Sequence, residues 1–154
     1  NLAAIDAKPK KSNLKYLTDK QLIIELEAGL ISAYLMTKYF GEEMFKKGFG
    51  RIVNIGSDLS VISPDQRLYR IDDLEDHLQP VKPVTYSVIK SGLIGLTKYV
   101  ATYWAEKGVR CNALSPGGVF NGQGEDFVQS LEQLIPLGRM ARLDEYRSSV
   151  QYLC

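Results

Sequence analysis

The chain has 154 residues, of which 45% are hydrophobic and 24% are charged, and its formal net charge is +1. These values predict one globular domain of the kind found in soluble proteins. Basic and acidic side chains are spread through the sequence, so no strong field would attract nucleic acid or an anionic membrane, and we expect neither as a partner. The sequence also shows no apolar run of membrane length and no signal peptide.

The cysteine and histidine content argues against several kinds of site. The two cysteines, Cys111 and Cys154, match neither a metal-binding spacing nor a disulfide framework. We therefore expect no bound metal and a reducing compartment, the cytoplasm. His77 is the only histidine, which disfavours a Ser-His-Asp triad and a multi-histidine metal site. Its charged surroundings indicate a solvated loop residue.

The first part of the chain predicts a loop, a long helix and a strand. Residues 1–17 are polar and lack an apolar period, which is typical of a surface loop. Thr18 and Gln21 resemble a capping box, and apolar residues then recur every three or four positions, which predicts an amphipathic helix over 18–47. Residues 51–57 are β-branched and apolar on both faces, as in a strand of a parallel sheet that is covered on both sides.

The middle of the chain predicts a crossover unit. Residues 58–85 contain three prolines and a charged run, which indicates a long loop with one short helix. A second amphipathic helix is expected over 84–107 and a second strand over 109–114, so that strand, helix and strand form a right-handed parallel unit. Gly92 and Gly95 interrupt this helix, which indicates either close approach of another backbone, such as a second subunit, or local tolerance.

The last part of the chain predicts a lid and a final helix. Residues 119–142 are punctuated by glycine and glutamine, and we interpret them as a mobile substrate lid with a short helix over 125–134. The final helix is expected to begin near Asp144, because carboxylates favour a helix amino end. Residue 1 is asparagine and the apolar spacing continues to Cys154, so we expect that sequence is missing at both ends.

The spacing Tyr-x-x-x-Lys occurs four times, although about one such pair is expected by chance, beginning at Tyr16, Tyr34, Tyr86 and Tyr103. On a helix this spacing places both side chains on one face, where the ammonium favours a phenolate that can act as an acid or base. Of the four tyrosines, only Tyr86 is expected to lie near other candidate site residues. Ser57, Tyr86 and the turn at 115–118 all fall at the carboxyl edge of the predicted sheet, where open parallel sheets bind ligands.

Four segments of the sequence together resemble the short-chain dehydrogenase/reductase family, in its classical type. They are Asn1-Leu2-Ala3-Ala4, Ile52-Val53-Asn54-Ile55-Gly56-Ser57, Tyr86-Ser87-Val88-Ile89-Lys90-Ser91-Gly92 and Arg110-Cys111-Asn112-Ala113-Leu114-Ser115-Pro116-Gly117-Gly118. They follow one another in the family's order over nearly the whole chain. Ser57-Asp58-Leu59-Ser60 and the loop after it, with the run from Pro116 to Gly122, further resemble bacterial members linked to flagellin-glycan or surface-polysaccharide biosynthesis.

The resemblance implies an oxidoreductase that moves a hydride between NAD or NADP and a small molecule, a secondary alcohol or ketone that we expect to be sugar-derived. Tyr86 would exchange a proton with the reacting oxygen, and Ser57 would hydrogen-bond the same oxygen. Lys90 would support the phenolate form of Tyr86 and hold the cofactor ribose. Further cofactor contacts are implied at Asn1, Ala3, Pro116, Gly117, Val119 and Asn121.

The chain departs from the family pattern in three ways. Gly29 stands where the family has a relay asparagine, so the resemblance does not carry a complete four-residue proton relay. Ser57 and Tyr86 are further apart than is usual, so we interpret 58–85 as an inserted loop that shapes the substrate pocket. No glycine-rich turn between a strand and a helix is present to hold a dinucleotide pyrophosphate.

We therefore expect one partial domain over 1–154 in the α/β class. It would be a Rossmann-like, doubly wound parallel sheet that lacks the N-terminal glycine-rich half and the last strand. Whether the protein is an active oxidoreductase or an inactive remnant, the resemblance implies a homodimer or homotetramer formed through helices 18–47 and 84–107. One alternative function is an inactive remnant or scaffold that only self-associates. A further alternative is a sugar-nucleotide epimerase or dehydratase of the extended family, although the long substrate domain of those enzymes is absent.

Overall fold

The structure is a computed structural model that describes residues 13–154. Asn1, Ala3 and most of the predicted N-terminal loop lie outside the described residues. Five α-helices and two strands are formed within residues 13–154. They are α1 (Asp19–Leu26), α2 (Ser32–Lys47), β1 (Gly50–Ile55), α3 (Val84–Tyr103), β2 (Val109–Leu114), α4 (Glu125–Glu132) and α5 (Arg147–Leu153).

The predicted helix over 18–47 is present as α1 and α2, joined by a single π-helical segment at Glu27–Ile31. The Thr18 hydroxyl accepts a hydrogen bond from the Gln21 amide at 3.2 Å, so the predicted cap forms. Gly48 ends α2 in the left-handed region with φ 68°, as a glycine does at low cost. The π-helical segment was not predicted, because one extra residue in a turn leaves the apolar pattern almost unchanged.

The two strands pair in parallel, in a register that runs from Gly50 opposite Val109 to Ile55 opposite Leu114. The predicted strand, helix and strand unit is therefore confirmed. Helix α3 packs on both strands, and its Leu93 is 1% exposed at the centre of a cluster with Ala33 and Ile89. Burial of the two larger side chains, those of Leu93 and Ile89, stabilises the unit by roughly 1.5–3 kcal/mol each.

The two glycines of α3 differ in their surroundings. A Cβ added at Gly92 would lie 2.9 Å from the Leu30 side chain, whereas no atom of the described chain lies within 4 Å of a Cβ added at Gly95. The neighbour of Gly92 is therefore a side chain of the π-helical segment and not another backbone. At Gly95 the space is open on the helix surface.

The loop over 58–85 is ordered by its own hydrogen bonds. It contains three short 3₁₀ turns, at Asp58–Ser60, Gln66–Tyr69 and Asp76–Leu78, where one short helix was predicted. The buried Gln79 side chain accepts from the Ile71 amide and donates to two backbone carbonyls, which fixes the end of the loop. These side-chain hydrogen bonds satisfy backbone groups that would otherwise be paired within a helix or a sheet.

The segment after β2 folds back on itself. The Phe120 amide donates to the Ala141 carbonyl, and the Ala141 amide donates to the Gly118 carbonyl, both at 2.9 Å, so the base of the predicted lid is closed by a short parallel bridge. Helix α4 lies inside the predicted range of 125–134. Helix α5 begins at Arg147 and not near Asp144, because residues 143–146 form turns in which the Asp144 carbonyl accepts from the Arg147 amide.

The structure also shows the surroundings of the single histidine and of the two cysteines. His77 is exposed beside Glu75, 3.1 Å from its carboxylate, which confirms that it is a solvated loop residue. Burial raises the pKa of the Cys111 thiol to about 11, so this cysteine is neutral, while Cys154 is exposed. Over residues 13–154, no helix combines the length and apolar character that crossing a membrane requires.

Candidate active site

The carboxyl ends of β1 and β2 meet at one edge of the sheet. Ser57 follows β1 by two residues in an extended conformation and is 5% exposed. The Asp58 amide donates to the Pro116 carbonyl at 2.9 Å, which joins the segment after β1 to the turn after β2. The parallel register thus places Ser57 beside the turn that contains Pro116 and Gly117, as the sequence predicted for a sheet edge.

Tyr86 lies in the first turn of α3, and Lys90 lies one turn later. The Lys90 ammonium donates to the Ile55 carbonyl at 2.8 Å and lies 5.7 Å from the centroid of the Tyr86 ring. Lys90 is thereby tied to the end of β1. Burial lowers the pKa of Lys90, and the positive charge of Lys82 lowers it further.

A second ammonium faces the same tyrosine. Lys82 Nζ lies 3.8 Å from the centroid of the Tyr86 ring, nearer than Lys90. The backbone of Lys82 is held by Gln66, whose side chain accepts from the Lys82 amide at 2.9 Å and donates to the Lys82 carbonyl at 3.3 Å. Two cations, one before Tyr86 in the sequence and one after it, therefore lie near the phenol ring.

A pocket of about 380 Å³ opens at this edge. Its lining includes the predicted site residues Ser57, Tyr86, Lys90, Pro116, Gly117 and Val119. The loop over 58–85 and the segment over 119–142 cover it from two sides, because the rings of Tyr69 and Phe127 are 5.6 Å apart and both line the pocket. These two segments together shape the space next to the candidate catalytic groups.

The hydroxyl of Ser57 is engaged within the chain. It donates to Asp58 Oδ1 at 2.7 Å and accepts from the Leu59 amide at 3.2 Å, while the Ser57 amide donates to the Ser60 hydroxyl at 2.9 Å. Serine hydroxyls rotate freely about the Cβ–Oγ bond. A ligand oxygen in the pocket would receive this proton only after the hydroxyl turns away from Asp58.

The turn after β2 is fixed by a residue that the sequence did not single out. The Gly117 amide donates to the Tyr146 hydroxyl at 3.1 Å, so the segment before α5 holds the floor of the pocket. Val119 lines the pocket, whereas Asn121 is exposed and lies outside the lining. The backbone amide of Asn121 donates to the Gln123 side chain at 2.7 Å. Of the predicted cofactor contacts after β2, the structure thus brings three to the pocket.

The position of the relay residue is closed. A Cβ added at Gly29 would lie 2.7 Å from both Cδ1 and Cγ2 of Ile89, so α3 fills the space where a longer side chain would stand. One turn earlier, the buried Glu25 carboxylate accepts from the Thr85 hydroxyl and, at 2.8 Å, from the Gln21 side chain. Glu25 therefore anchors the first turn of α3, immediately before Tyr86.

The site offers groups for one end of a nicotinamide cofactor. Lys90, which has donors beyond its bond to Ile55, and the Gly117–Gly118 backbone, which carries no side chains of its own, fit a ribose and a flat ring. No glycine-rich turn that links a strand to a helix is found among residues 13–154. The same part of the chain has no group of three or more histidine, cysteine, aspartate or glutamate residues that is suited to a metal ion.

Sequence reasoning missed Lys82, Tyr146 and Glu25. For Lys82 a signal was present, because Lys82 precedes Tyr86 by the same four positions by which Lys90 follows it. Pro83 hides this signal, since it is the N-cap of α3 and Lys82 lies outside the helix. Tyr146 and Glu25 have no local signal, because their partners are 29 and 60 residues away.

Comparisons with known proteins agree with this geometry. A family model described as enoyl-(acyl carrier protein) reductase matches residues 76–154. A D-threitol dehydrogenase of Mycolicibacterium smegmatis is 30% identical over 133 residues, covering 83% of this chain and 45% of that protein. A 3-oxoacyl-[acyl-carrier-protein] reductase of Synechocystis is 32% identical over 139 residues, covering 89% of this chain and 49% of that protein.

Solved structures show the same relationship. A short-chain dehydrogenase of Leptospira borgpetersenii with bound NAD+ superposes with a TM-score of 0.83 at 31% identity, covering 98% of this chain and 54% of that one. The chain spans about half the length of these relatives. The matched part includes Tyr86, Lys90 and the turn after β2, and the fold is an incomplete Rossmann-like sheet. The chain belongs to the short-chain dehydrogenase/reductase family.

Proposed function

We propose that the protein is an NAD(P)-dependent oxidoreductase that interconverts a secondary alcohol and a ketone. The observation that carries this proposal is the convergence of Ser57, Tyr86 and Lys90 on one pocket beside the Pro116–Gly117 turn. The family membership and the NAD+-bound neighbour support it. Since the chain covers about half of its relatives, the proposal concerns the full-length protein.

In this mechanism Tyr86 is the acid and base. When ketone is reduced, the Tyr86 hydroxyl donates its proton to the carbonyl oxygen, and when alcohol is oxidised the phenolate takes that proton back. Ser57 turns its hydroxyl from Asp58 to the same oxygen and stabilises the negative charge that develops there. Lys90, held by the Ile55 carbonyl, keeps a positive charge beside the phenol.

A bound nicotinamide cofactor would supply or accept the hydride. Among the described residues Lys90, Pro116, Gly117 and Val119 would hold its nicotinamide end. Asn1, Ala3 and Asn121 complete the proposed set of cofactor contacts. We propose NAD or NADP as this cofactor.

We propose a sugar-derived alcohol, or polyol, as the substrate, and the cytoplasm as its compartment. The D-threitol dehydrogenase relative supports a polyol. The pocket of about 380 Å³ has room for a molecule of this size, and Asp58 and Gln123 in its lining offer polar atoms for hydroxyl groups. In this proposal the loop over 58–85 is an insertion that shapes the pocket, and 119–142 is the substrate lid.

The Tyr86→Phe variant of the full-length protein tests the assignment. It removes only the hydroxyl, so turnover of polyols and ketones with NAD(P) should fall by about 10²–10⁴-fold, the usual contribution of a positioned acid or base. Cofactor binding, followed by the change in NAD(P)H fluorescence, should stay within about two-fold. Tyr16→Phe, which changes another Tyr-x-x-x-Lys pair outside the pocket, is the matched control. Wild-type turnover in Tyr86→Phe would contradict the proposal.

A second candidate function, a self-associating scaffold, is favoured by a different surface. A groove of about 880 Å³ runs between α2 and α3, lined by Tyr34, Phe45, Tyr99 and Tyr103 among others. Tyr99 and Tyr103 are 63% and 66% exposed, and their rings stack at 5.4 Å. Exposed apolar surface of this extent marks interaction sites, and we propose a second copy of the chain as the partner, giving a homodimer or homotetramer.

Self-association and catalysis can be tested separately. Tyr103→Glu places a charge in the groove and should shift the sedimentation coefficient toward the monomer, while Tyr152→Glu, which is exposed outside the groove, should not. A protein that associates but gives no NAD(P)H fluorescence change at millimolar cofactor would be the scaffold. If Tyr103→Glu leaves the association state unchanged, the groove is not the contact.

A further inference from the structure

Tyr146 holds the turn after β2 from outside the pocket. Its hydroxyl accepts the hydrogen bond of the Gly117 amide at 3.1 Å, across 29 residues of sequence. Gly117 lines the pocket together with Ser57 and Tyr86, whereas Tyr146 does not line it. Any effect of Tyr146 on a molecule in this pocket would therefore be exerted through the turn.

The turn contains two glycines in succession, and glycine loses more backbone freedom than any other residue when it becomes ordered. Backbone hydrogen bonds restrain the residues on either side of Gly117. The Pro116 carbonyl accepts from the Asp58 amide at 2.9 Å. The Gly118 carbonyl accepts from the Ala141 amide, also at 2.9 Å. The Gly117 amide is held by a side chain instead, so one substitution can remove this bond without altering the backbone.

The segment around Tyr146 restrains its backbone on both sides. Tyr146 is the N-cap of α5, and its carbonyl accepts from the Val150 amide at 3.1 Å. Directly before it, the Glu145 carboxylate accepts from the Arg139 guanidinium at 2.7 and 2.8 Å and from the Arg142 amide at 2.9 Å. Because this backbone is already ordered, the Tyr146 side chain loses little further freedom when it holds the turn.

Under the proposed function the turn is the surface against which the nicotinamide ring must lie. Direct hydride transfer requires contact between this ring and the carbon that bears the reacting oxygen, which is placed at Ser57 and Tyr86. Pro116, Gly117 and Val119 line the pocket beside these two residues. A displaced turn would therefore change how the ring is held. No such constraint links the turn to the ADP part of the cofactor.

We propose that Tyr146 is a positioning residue for the nicotinamide end of the cofactor and acts through the Gly117 amide. The proposal rests on the proposed function, because it takes the turn as a cofactor contact. Without the hydroxyl the free turn would sample more conformations, and binding would have to order it. The loss of one neutral hydrogen bond corresponds to a change of about three- to ten-fold in affinity. This loss should appear only for ligands that contain nicotinamide.

The experiment compares the binding of two ligands to the full-length protein by calorimetry. NADH contains the nicotinamide ring, and ADP-ribose is the same molecule without that ring. NADPH and ADP-ribose phosphate form the equivalent pair if the protein binds them more tightly. In Tyr146→Phe, which removes only the hydroxyl, NADH should bind about three- to ten-fold more weakly than in the wild type, and ADP-ribose should stay within about two-fold.

The matched control is Tyr152→Phe, because Tyr152 is an exposed residue of α5 that does not line the pocket. It should leave both affinities unchanged. Equal NADH affinity in the wild type and in Tyr146→Phe would overturn the proposal. So would an equal loss of NADH and ADP-ribose affinity, which would indicate a general effect of the hydroxyl on the fold.

Failure of the proposed function gives a different result. A wild-type protein that binds neither NADH nor ADP-ribose would refute that function and the positioning role with it. Tyr86→Phe should lose turnover while it keeps the wild-type ratio of NADH affinity to ADP-ribose affinity. Turnover that persists in Tyr86→Phe would refute the acid and base role of Tyr86 without altering the ratio that Tyr146 controls.

Discussion

Gly29 allows a quantitative test of how the α1–α2 helix packs on α3. It is buried in the π-helical segment, and in the Gly29→Ala variant the new methyl group would lie 2.7 Å from Cδ1 and Cγ2 of Ile89. Overpacking of this kind costs about 1–3 kcal/mol. Alanine also stabilises a helix by about 1 kcal/mol relative to glycine, because its helix propensity is higher. The net loss in the free energy of unfolding should be about 0–2 kcal/mol.

The assay is urea unfolding of the full-length protein with a double-mutant cycle. Gly29→Ala, Ile89→Ala and the double variant are compared, and removal of the Ile89 side chain should relieve the clash by about 1 kcal/mol or more as a coupling free energy. Gly95→Ala is the control, because nothing outside its own helix among residues 13–154 lies within 4 Å of its added Cβ. The free energy of unfolding of Gly95→Ala should exceed that of the wild type by up to about 1 kcal/mol when both proteins are in the same association state. A coupling free energy near zero would refute the packing argument.

The same geometry decides whether the relay can be rebuilt. Gly29→Asn has the side chain of the family's relay residue, but its Cβ meets the same Ile89 atoms. We therefore expect no increase in turnover from Gly29→Asn alone. An increase would show that Ile89 moves aside and that the space is available.

Two further predictions concern carboxylates. Glu25→Ala leaves the buried Thr85 hydroxyl without its acceptor, so the free energy of unfolding should fall by about 1–3 kcal/mol in urea unfolding, and an unchanged value would contradict an anchoring role. Glu145 pairs with Arg139, which lowers the pKa of this carboxyl from 4.5 to about 2, so its contribution is present above pH 4.5 and is lost as pH falls toward 2. Thermal unfolding of Glu145→Gln against pH should therefore differ from wild type at pH 7 and converge with it near pH 2. The pair is at the surface, so the difference should be small, and a difference that grows on acidification would contradict it.

The regular elements could be predicted from the sequence because each carries its own periodic pattern. The apolar spacing of α2 and α3 and the β-branched composition of β1 are local properties, and the parallel pairing follows from the order of elements. The π-helical segment and the three 3₁₀ turns could not be predicted. They depend on contacts such as those of Gln79 with Ile71, which are formed only when the loop has folded.

The sequence predicted those residues of the candidate site that lie at the carboxyl edge of the sheet. Ser57, Tyr86 and Lys90 were identified by their positions after a strand and on a helix, and the structure places them at one pocket. Lys82 and Tyr146 were missed because their places depend on tertiary contacts with Gln66 and Gly117. The roles of the three catalytic candidates and of Tyr146 remain predictions.

The pocket is built from two sources that differ in how they are held. Its chemical groups stand at the ends of β1 and α3, where backbone pairing and a buried helix fix them. Its other wall comes from the loop over 58–85, which is held mainly by side chains on backbone, as Gln66 holds Lys82. Changes in the part of the loop around Gln66 and Lys82 should alter the wall without changing the pairing of β1 with β2. Substitutions in the part of this loop that lines the pocket should therefore change which substrate is bound, whereas substitutions at Tyr86 should change whether it reacts.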